Sequence, residues 1–305
     1  MVGFENEKQE QEVWNSLKQK YIPFKFSYVG KAALAFDEVM CTDSYNKATK
    51  SSNDEYLKIF LDNSNINSIA DIGSGNGDNS ARFIERLLQA ELSISNYFCC
   101  DFSDSLSELC INKLENKYQF INFKQILWDI ETEKNDFLLN HINNEKALIV
   151  FLGNTIGNVI DVDTVLKNIY TSARIGDKFI LEVSIRNTSL NSAEVLEDYN
   201  NPFVFKMFAE VLHMTGINTD KGNYKLYYDD VREAIIGDFE FSEDITLLYK
   251  SEELTFHKGD IINSCISRRL DKSVIENYLK SADWLIDNII ENENGTVALF
   301  FCNKC

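Results

Sequence analysis

The segment Ser68-Ile-Ala-Asp-Ile-Gly-Ser-Gly-Asn-Gly77 constrains the fold more than any other part of the chain: a short apolar run ends in three alternate glycines and opens into a helical pattern. Gly73, Gly75 and Gly77 admit positive φ and bring backbone N–H groups within reach of a ligand that any Cβ would hold off. Asp78, Asn79 and Ser80 can cap a helix, and Phe83, Ile84, Leu87 and Leu88 recur on one face of Ala81 to Leu92. A strand, a glycine turn and a helix in that order make a nucleotide-type ligand site, with a plain structural turn as the alternative.

The spacing of small residues separates two ligand classes. Dinucleotide folds use G-x-G-x-x-G/A, whose last small residue lets helix and strand pack closely. Counting from Gly73, that third position falls on Asp78, whose carboxylate would face a pyrophosphate, so NAD and FAD are disfavoured. The D-x-G-x-G-x-G form running from Asp71 to Gly77 instead resembles motif I of class I S-adenosylmethionine-dependent methyltransferases, whose cofactor has no phosphate and carries a cationic sulfonium.

Charge narrows the partners. Across 305 residues, 30 Lys+Arg stand against 48 Asp+Glu, and the net charge of −18 repels nucleic-acid backbones and anionic membranes over most of the surface. No apolar run reaches the length of a membrane span, and the acidic start Glu5 to Glu12 is unlike a secretory leader, so a cytoplasmic protein is expected. The seven cysteines include one C-x-x-C pair, Cys302 and Cys305, which has no second pair or nearby histidine; free thiols are expected rather than zinc. His141, His213 and His257 show no metal-ligand spacing, and no metal site is expected.

The βα rhythm continues beyond the first helix. Asn96 to Asp101 reads as a second strand ending in an acid, where a doubly wound fold places the carboxylate that accepts from ribose hydroxyls; a solvated loop acid is the alternative. Ser105 and Glu108 have capping-box spacing ahead of the stripe Leu106, Leu109, Cys110 and Leu114. A third strand, Ile121 to Leu127, leads to Asp129 and Ile130, an acceptor for an adenine amino group and a wall for its ring. Ala147 to Leu152 is a fourth strand, opening into Gly153-Asn-Thr-Ile-Gly-Asn158, a polar turn in the same crevice; Asn154 and Asn158 could instead cap the next helix, Val162 to Ala173, as could Asp161 or Asp163. Lys178 to Ile185 is a fifth strand.

From Asn187 to Asp260 the rhythm stops. Val195 to Thr215 is helical around a break at Asn200-Asn201-Pro202, and Tyr224 to Phe256 reads as strands and turns rich in Tyr and Phe. A helix at Asp271 to Ala282 and two strands, Trp284 to Ile290 and Thr296 to Cys302, joined through Asn294-Gly295, resume the pattern. The expected organisation is an N-terminal helical cap (1–60), a doubly wound α/β methyltransferase domain (61–186 and 261–305), and an inserted α+β substrate-binding lid (187–260).

Gly153-Asn-Thr-Ile-Gly-Asn158 resembles the G-[ST]-[ST]-I-G-N signature of the histidine-specific Nα-methyltransferase family of the ergothioneine-pathway type, and the similarity spans nearly the whole chain. Phe26 to Val29 and Phe36 to Val39 are similar to its F-Y-D-x-x-G-S-x-L-F-x-x-I block, Ser44-Tyr45 to E-Y-Y, Tyr199 to Pro202 to Y-D-D-P, and Ser264 to Ser267 to T-E-I-S. The resemblance implies S-adenosylmethionine as cofactor, with Tyr28, Gly73, Asp101 and Asp129 at contacting positions. Ser74, Gly75, Phe102, Ile130 and Gly153 complete the candidate cofactor residues. It further implies that Tyr45, Gly153, Asn158 and Tyr199 hold the amino and carboxylate groups of an amino-acid acceptor and that Ser267 meets its side chain, with Asn158 and Tyr45 closest to the chemistry.

The chain departs from the family pattern at Val29 and Ala32-Ala33, which replace an aspartate and a glycine-serine pair, and at Cys265, which replaces the glutamate that anchors imidazole. A thiol is a weak hydrogen-bond partner where a carboxylate is a strong one. The expected acceptor is therefore an amino acid or amino-acid derivative other than histidine, with an uncharged or aromatic side chain. A noncatalytic cofactor-binding homologue and a methyltransferase of another small molecule are the competing expectations.

Overall fold

The computed structural model describes residues 1–40, 54–62, 64–137, 146–187, 192–197 and 199–305. The N-terminal part holds α1 (Glu7–Leu17), α2 (Gly30–Met40) and α3 (Asp54–Leu61). There follow β1 (Ser68–Ile72), α4 (Asp78–Gln89), β2 (Asn96–Asp101), α5 (Asp104–Lys117), β3 (Asn122–Leu127) and β4 (Ala147–Phe151). The single turn α6 (Thr155–Asn158), α7 (Val162–Ser172) and β5 (Lys178–Ser184) lead to α8 (Ser192–Glu197) and α9 (Pro202–Thr215). Five strands come next: β6 (Gly222–Asp229), β7 (Ala234–Phe241), β8 (Ile245–Tyr249), β9 (Glu252–Phe256) and β10 (Ile261–Arg268). The chain ends with α10 (Lys272–Ser281), β11 (Leu285–Glu291) and β12 (Val297–Asn303).

These elements divide into two compact units, Met1–Asn46 with Thr188–Arg268, and Lys47–Asn187 with Arg269–Cys305. The second unit is built on a seven-stranded sheet in the order β11-β12-β5-β4-β1-β2-β3. The pairs β1–β2, β1–β4, β2–β3 and β4–β5 are parallel, and β12 runs antiparallel to both β5 and β11. Every residue of β1 and β4 is buried, the pattern of strands covered on both faces. Ala70, Ile149, Phe179 and Phe300 belong to one apolar layer, and Ile69, Tyr97, Val150 and Ile180 to the other. Strand order reverses at β1 and β4, and there an open parallel sheet forms a ligand crevice beyond its carboxyl ends.

In the first unit a three-stranded antiparallel sheet, β10-β7-β6, lies beside the β8–β9 hairpin. Asn201 caps α9 by accepting from the Phe203 and Val204 amides at 3.0 Å each, Pro202 occupies the first helical turn, and Gly216 at φ 94° ends it. Val204, Met207 and Phe208 of α9 pack with Phe24, Ala35, Val39 and Cys265 in one apolar cluster.

Several sequence expectations are corrected. Segment 261–268 pairs as β10 with β7, so it belongs to the first unit and the sheet unit resumes at Arg269 rather than at 261. The N-terminal residues divide as well, because residues 1–40 group with the inserted residues and 54–60 with the sheet. Helix α4 starts at Asp78 from a left-handed Gly77 with no side-chain cap, and Ser80 is instead turned onto Asp71. Ser103, not Ser105, caps α5, its hydroxyl accepting from the Leu106 amide at 3.1 Å. Asp161 caps α7 through the Asp163 and Thr164 amides. Cys302 is a buried thiol and Cys305 an exposed one. Among the described residues no helix is long and apolar enough to cross a membrane.

Candidate functional site

The glycine turn is shaped by what lies under it. Gly73, Gly75 and Gly77 take φ of 66°, 55° and 85°, the left-handed region that excludes most side chains. A Cβ on Gly73 would come within 3.3 Å of the Phe151 ring, and one on Gly77 within 3.1 Å of the Cys110 Cα and Sγ, so the turn is pressed between β4 and α5. The Gly73 amide donates to the Cys100 carbonyl at 2.7 Å, which ties the turn to the end of β2.

Asp101 ends β2 and organises two loops. Its Oδ2 accepts from the Gly75 amide and its Oδ1 from the Ser103 amide, each at 2.9 Å, and the residue is 8% exposed. Phe102 beside it is half-buried. At the end of β3, Asp129 is also 8% exposed; its Oδ1 accepts from the Glu131 amide at 3.2 Å, and the half-buried Ile130 packs against the core. At the end of β4, Gly153 turns at φ 76° and α6 carries Asn158, which is half-buried. Gly73, Ser74, Gly75, Asp101, Phe102, Asp129, Ile130, Gly153 and Asn158 therefore all sit at the carboxyl ends of β1 to β4 in one unit.

Two buried polar atoms, Ser74 Oγ in the turn and Asp71 Oδ1 in β1 beneath it, have no hydrogen-bond partner among the described residues. Such atoms are costly unless something satisfies them, and a polar ligand laid over the glycines can do so. Asp71 holds its other oxygen in hydrogen bonds from the Ser80 hydroxyl and from the Tyr97 phenol, the latter at 2.6 Å. Burial, partly opposed by those two bonds and aided by the Asp101 charge, pushes its carboxyl up to about 7. Open backbone at the glycines, acceptors on neighbouring strand ends and unmet polar atoms below fit a ligand with a polar amino-acid end and a nucleoside end.

The remaining candidates lie in the other unit. Tyr28 is in edge contact with Phe36 and near Phe24. The Tyr199 hydroxyl donates to Ser267 Oγ at 2.8 Å, and the Tyr224 hydroxyl lies 3.0 Å from Ser264 Oγ. Cys265 and Ser267 are fully buried. Gly237 pairs with Cys265 across the sheet, and a Cβ on it would fall 2.1 Å from the Tyr224 hydroxyl and 2.7 Å from the Cys265 Cβ. Tyr224 is therefore laid over a glycine gap toward Cys265, and its ring stacks on Phe208 at 5.1 Å. Tyr45 lies outside the described residues.

Sequence reasoning missed Glu182. This carboxylate is 6% exposed in β5, and its Oε1 accepts from the Gly153 amide at 3.1 Å. The signal was available as a lone acid within the otherwise apolar run Phe179-Ile-Leu-Glu-Val183.

The order 3-2-1-4-5 extended by an antiparallel hairpin, with a glycine turn after β1 and an acid after β2, defines a class I methyltransferase fold. The chain belongs to the histidine-specific, S-adenosylmethionine-dependent methyltransferase family, whose profile matches residues 9–304. It is a methyltransferase, and S-adenosylmethionine is its cofactor. A search of curated proteins gave no match. Among solved structures it is similar to an S-adenosylmethionine-dependent methyltransferase from Clostridium acetobutylicum, at 14% identity over 88% of this chain and 97% of that one, with a TM-score of 0.44. The PH0226 protein of Pyrococcus horikoshii is similar at 14% identity over 88% and 98%, with a TM-score of 0.47. The 1,6-didemethyltoxoflavin-N1-methyltransferase of Burkholderia thailandensis, with bound S-adenosylhomocysteine, is similar at 10% identity over 97% and 90%, with a TM-score of 0.46.

Proposed function

We propose that this protein methylates the α-amino group of an amino acid or amino-acid derivative other than histidine. The observation that carries the proposal is the setting of Cys265. Where a family member specific for imidazole places a carboxylate, this chain has a fully buried thiol packed with Phe24 and Phe208, beside Tyr224 and Leu226. On the same strand, Ser264 lies 3.0 Å from the Tyr224 hydroxyl, Ser267 accepts from the Tyr199 hydroxyl, and the Asn263 side-chain amide donates to the Cys265 carbonyl at 3.2 Å. Rings and hydroxyls suit an uncharged or aromatic side chain, and an imidazole N–H loses a strong acceptor.

When bound, S-adenosylmethionine supplies an electrophilic methyl group on a sulfonium. Asp101 and Asp129 would hold it as acceptors for the ribose hydroxyls and the adenine amino group, with Ile130 against the ring. The acceptor's part falls to Gly153 and Asn158. An ammonium has no lone pair, so the amine must be neutral when it attacks; Asn158 offers a carbonyl oxygen to one amine hydrogen and so aims the lone pair. Holding two reactants in line within a dry crevice is the chief contribution of the protein, worth up to about 7 to 11 kcal/mol.

The test is a screen of free amino acids and N-terminal peptide amines for methyl acceptance, with mass detection of the methylated product and of S-adenosylhomocysteine. A methylated α-amine on a neutral or aromatic amino acid supports the reading. Cofactor binding without turnover on any acceptor makes the chain a noncatalytic homologue and removes the proposal.

A further inference from the structure

We propose that Glu182 is a positioning residue for methyl transfer: its carboxylate clamps the Gly153 amide and thereby fixes the turn that carries Asn158. Its strand neighbours Phe179, Ile180, Leu181 and Val183 are buried apolar residues, and a Leu at 182 would continue that packing without desolvating a charge. What the acid adds is the 3.1 Å hydrogen bond from Gly153 N to Oε1, made at the residue where the chain leaves β4 and turns at φ 76°.

The same strand end makes a second tie. The Ser184 amide donates to Asn154 Oδ1 at 3.2 Å, and the Asn154 carbonyl accepts from the Gly157 amide at 3.0 Å. Glu182 and Ser184 thus grip residues 153 and 154, and the grip passes through α6 to its last residue, Asn158. Planarity adds an electronic effect. In the trans peptide joining Leu152 to Gly153, an N–H directed at a carboxylate sets the Leu152 carbonyl pointing away from Glu182 and makes it a stronger acceptor.

The consequence for catalysis rests on the reading of the 153–158 turn as the acceptor side, whereas the clamp itself does not. The experiment compares Glu182→Ala, Glu182→Gln and Asn158→Ala. Backbone hydrogen exchange is followed for peptides covering 150–160, S-adenosylhomocysteine affinity is measured by calorimetry, and turnover is titrated with an equimolar mixture of free amino acids. Glu182→Ala is expected to speed exchange in 153–158 about tenfold, equivalent to about 1.4 kcal/mol. It is also expected to raise the half-saturating amino-acid concentration by a similar factor while cofactor-product affinity stays within about threefold. Glu182→Gln, which keeps a carbonyl oxygen to accept from Gly153, should restore most of both. Unchanged exchange in Glu182→Ala overturns the clamp, as does faster exchange spread evenly over the sheet unit. Normal saturation in Glu182→Ala beside an impaired Asn158→Ala overturns the catalytic role of Glu182. Normal saturation in both variants removes the acceptor reading of the turn and the proposal with it.

Discussion

Asp71 gives the most quantitative prediction, because its carboxyl is 1% exposed beneath the glycine turn and is pushed from 3.8 up to about 7 by burial. Below pH 3.8 the acid is protonated in the folded and the unfolded chain alike. Between that value and about 7 the folded chain keeps a proton that the unfolded chain has released. Stability held by the neutral acid is therefore fully present below the unfolded value and is lost as pH rises through the folded one. The slope is about 1.4 kcal/mol per pH unit, so raising the pH from about 5 to about 7 should remove on the order of 2 to 3 kcal/mol through Asp71. Asp71→Asn keeps an oxygen to accept from Ser80 and Tyr97 and cannot ionise. Urea unfolding of both proteins at half-unit steps of pH, read as the difference between them, cancels the other titrations. The variant should gain on the parent steadily as pH rises and level off above about 7. Parallel curves across that range would refute the buried-acid argument.

The site yields three further expected outcomes. Asp101→Ala removes the acceptor for the Gly75 and Ser103 amides as well as the proposed ribose partner, and should weaken S-adenosylhomocysteine binding by about 1.5 to 3 kcal/mol in calorimetry; unchanged affinity would refute the assignment. Asn158→Ala should lower methyl transfer strongly while cofactor affinity stays within about threefold, and a joint loss would move Asn158 to the cofactor. Cys265→Glu should raise turnover of histidine relative to other amino acids and lower stability by about 2 kcal/mol or more, because the new carboxylate enters an apolar cluster; an unaltered acceptor ratio in a folded variant would show that position 265 does not set specificity.

Much of the sheet unit was legible because its signals are local. Strand patterns marked β1 to β5, with a helical pattern after the first, second and fourth, and the Asn294-Gly295 turn marked the final hairpin. The acids after β2 and β3 and the two glycine turns fell where topology brings strand ends together. What escaped depends on distant partners. Nothing within 261–268 tells that it pairs with β7 rather than entering the larger sheet, and only that pairing moves the unit boundary to Arg269. Helix starts shifted by a few residues because Ser80 bonds Asp71 across the turn and Ser103 outcompetes Ser105 as a cap. Glu182 stood out as an acid in an apolar strand, but its partner, Gly153, lies on another strand's end. The arrangement of Tyr224 over Gly237 depends on cross-strand register, which no single stretch of sequence carries.

The proposed preference of this member of a histidine-specific family for another acceptor is tested by a direct competition. Wild-type protein, S-adenosylmethionine, histidine and an equal concentration of each neutral and aromatic amino acid would be incubated together, with every Nα-methyl product quantified by mass. A neutral or aromatic amino acid is expected to take most of the methyl groups, with histidine a minor product. Histidine methylated at its α-amine as the main product would contradict that preference, and would mean that some other group supplies the acceptor that Cys265 lacks.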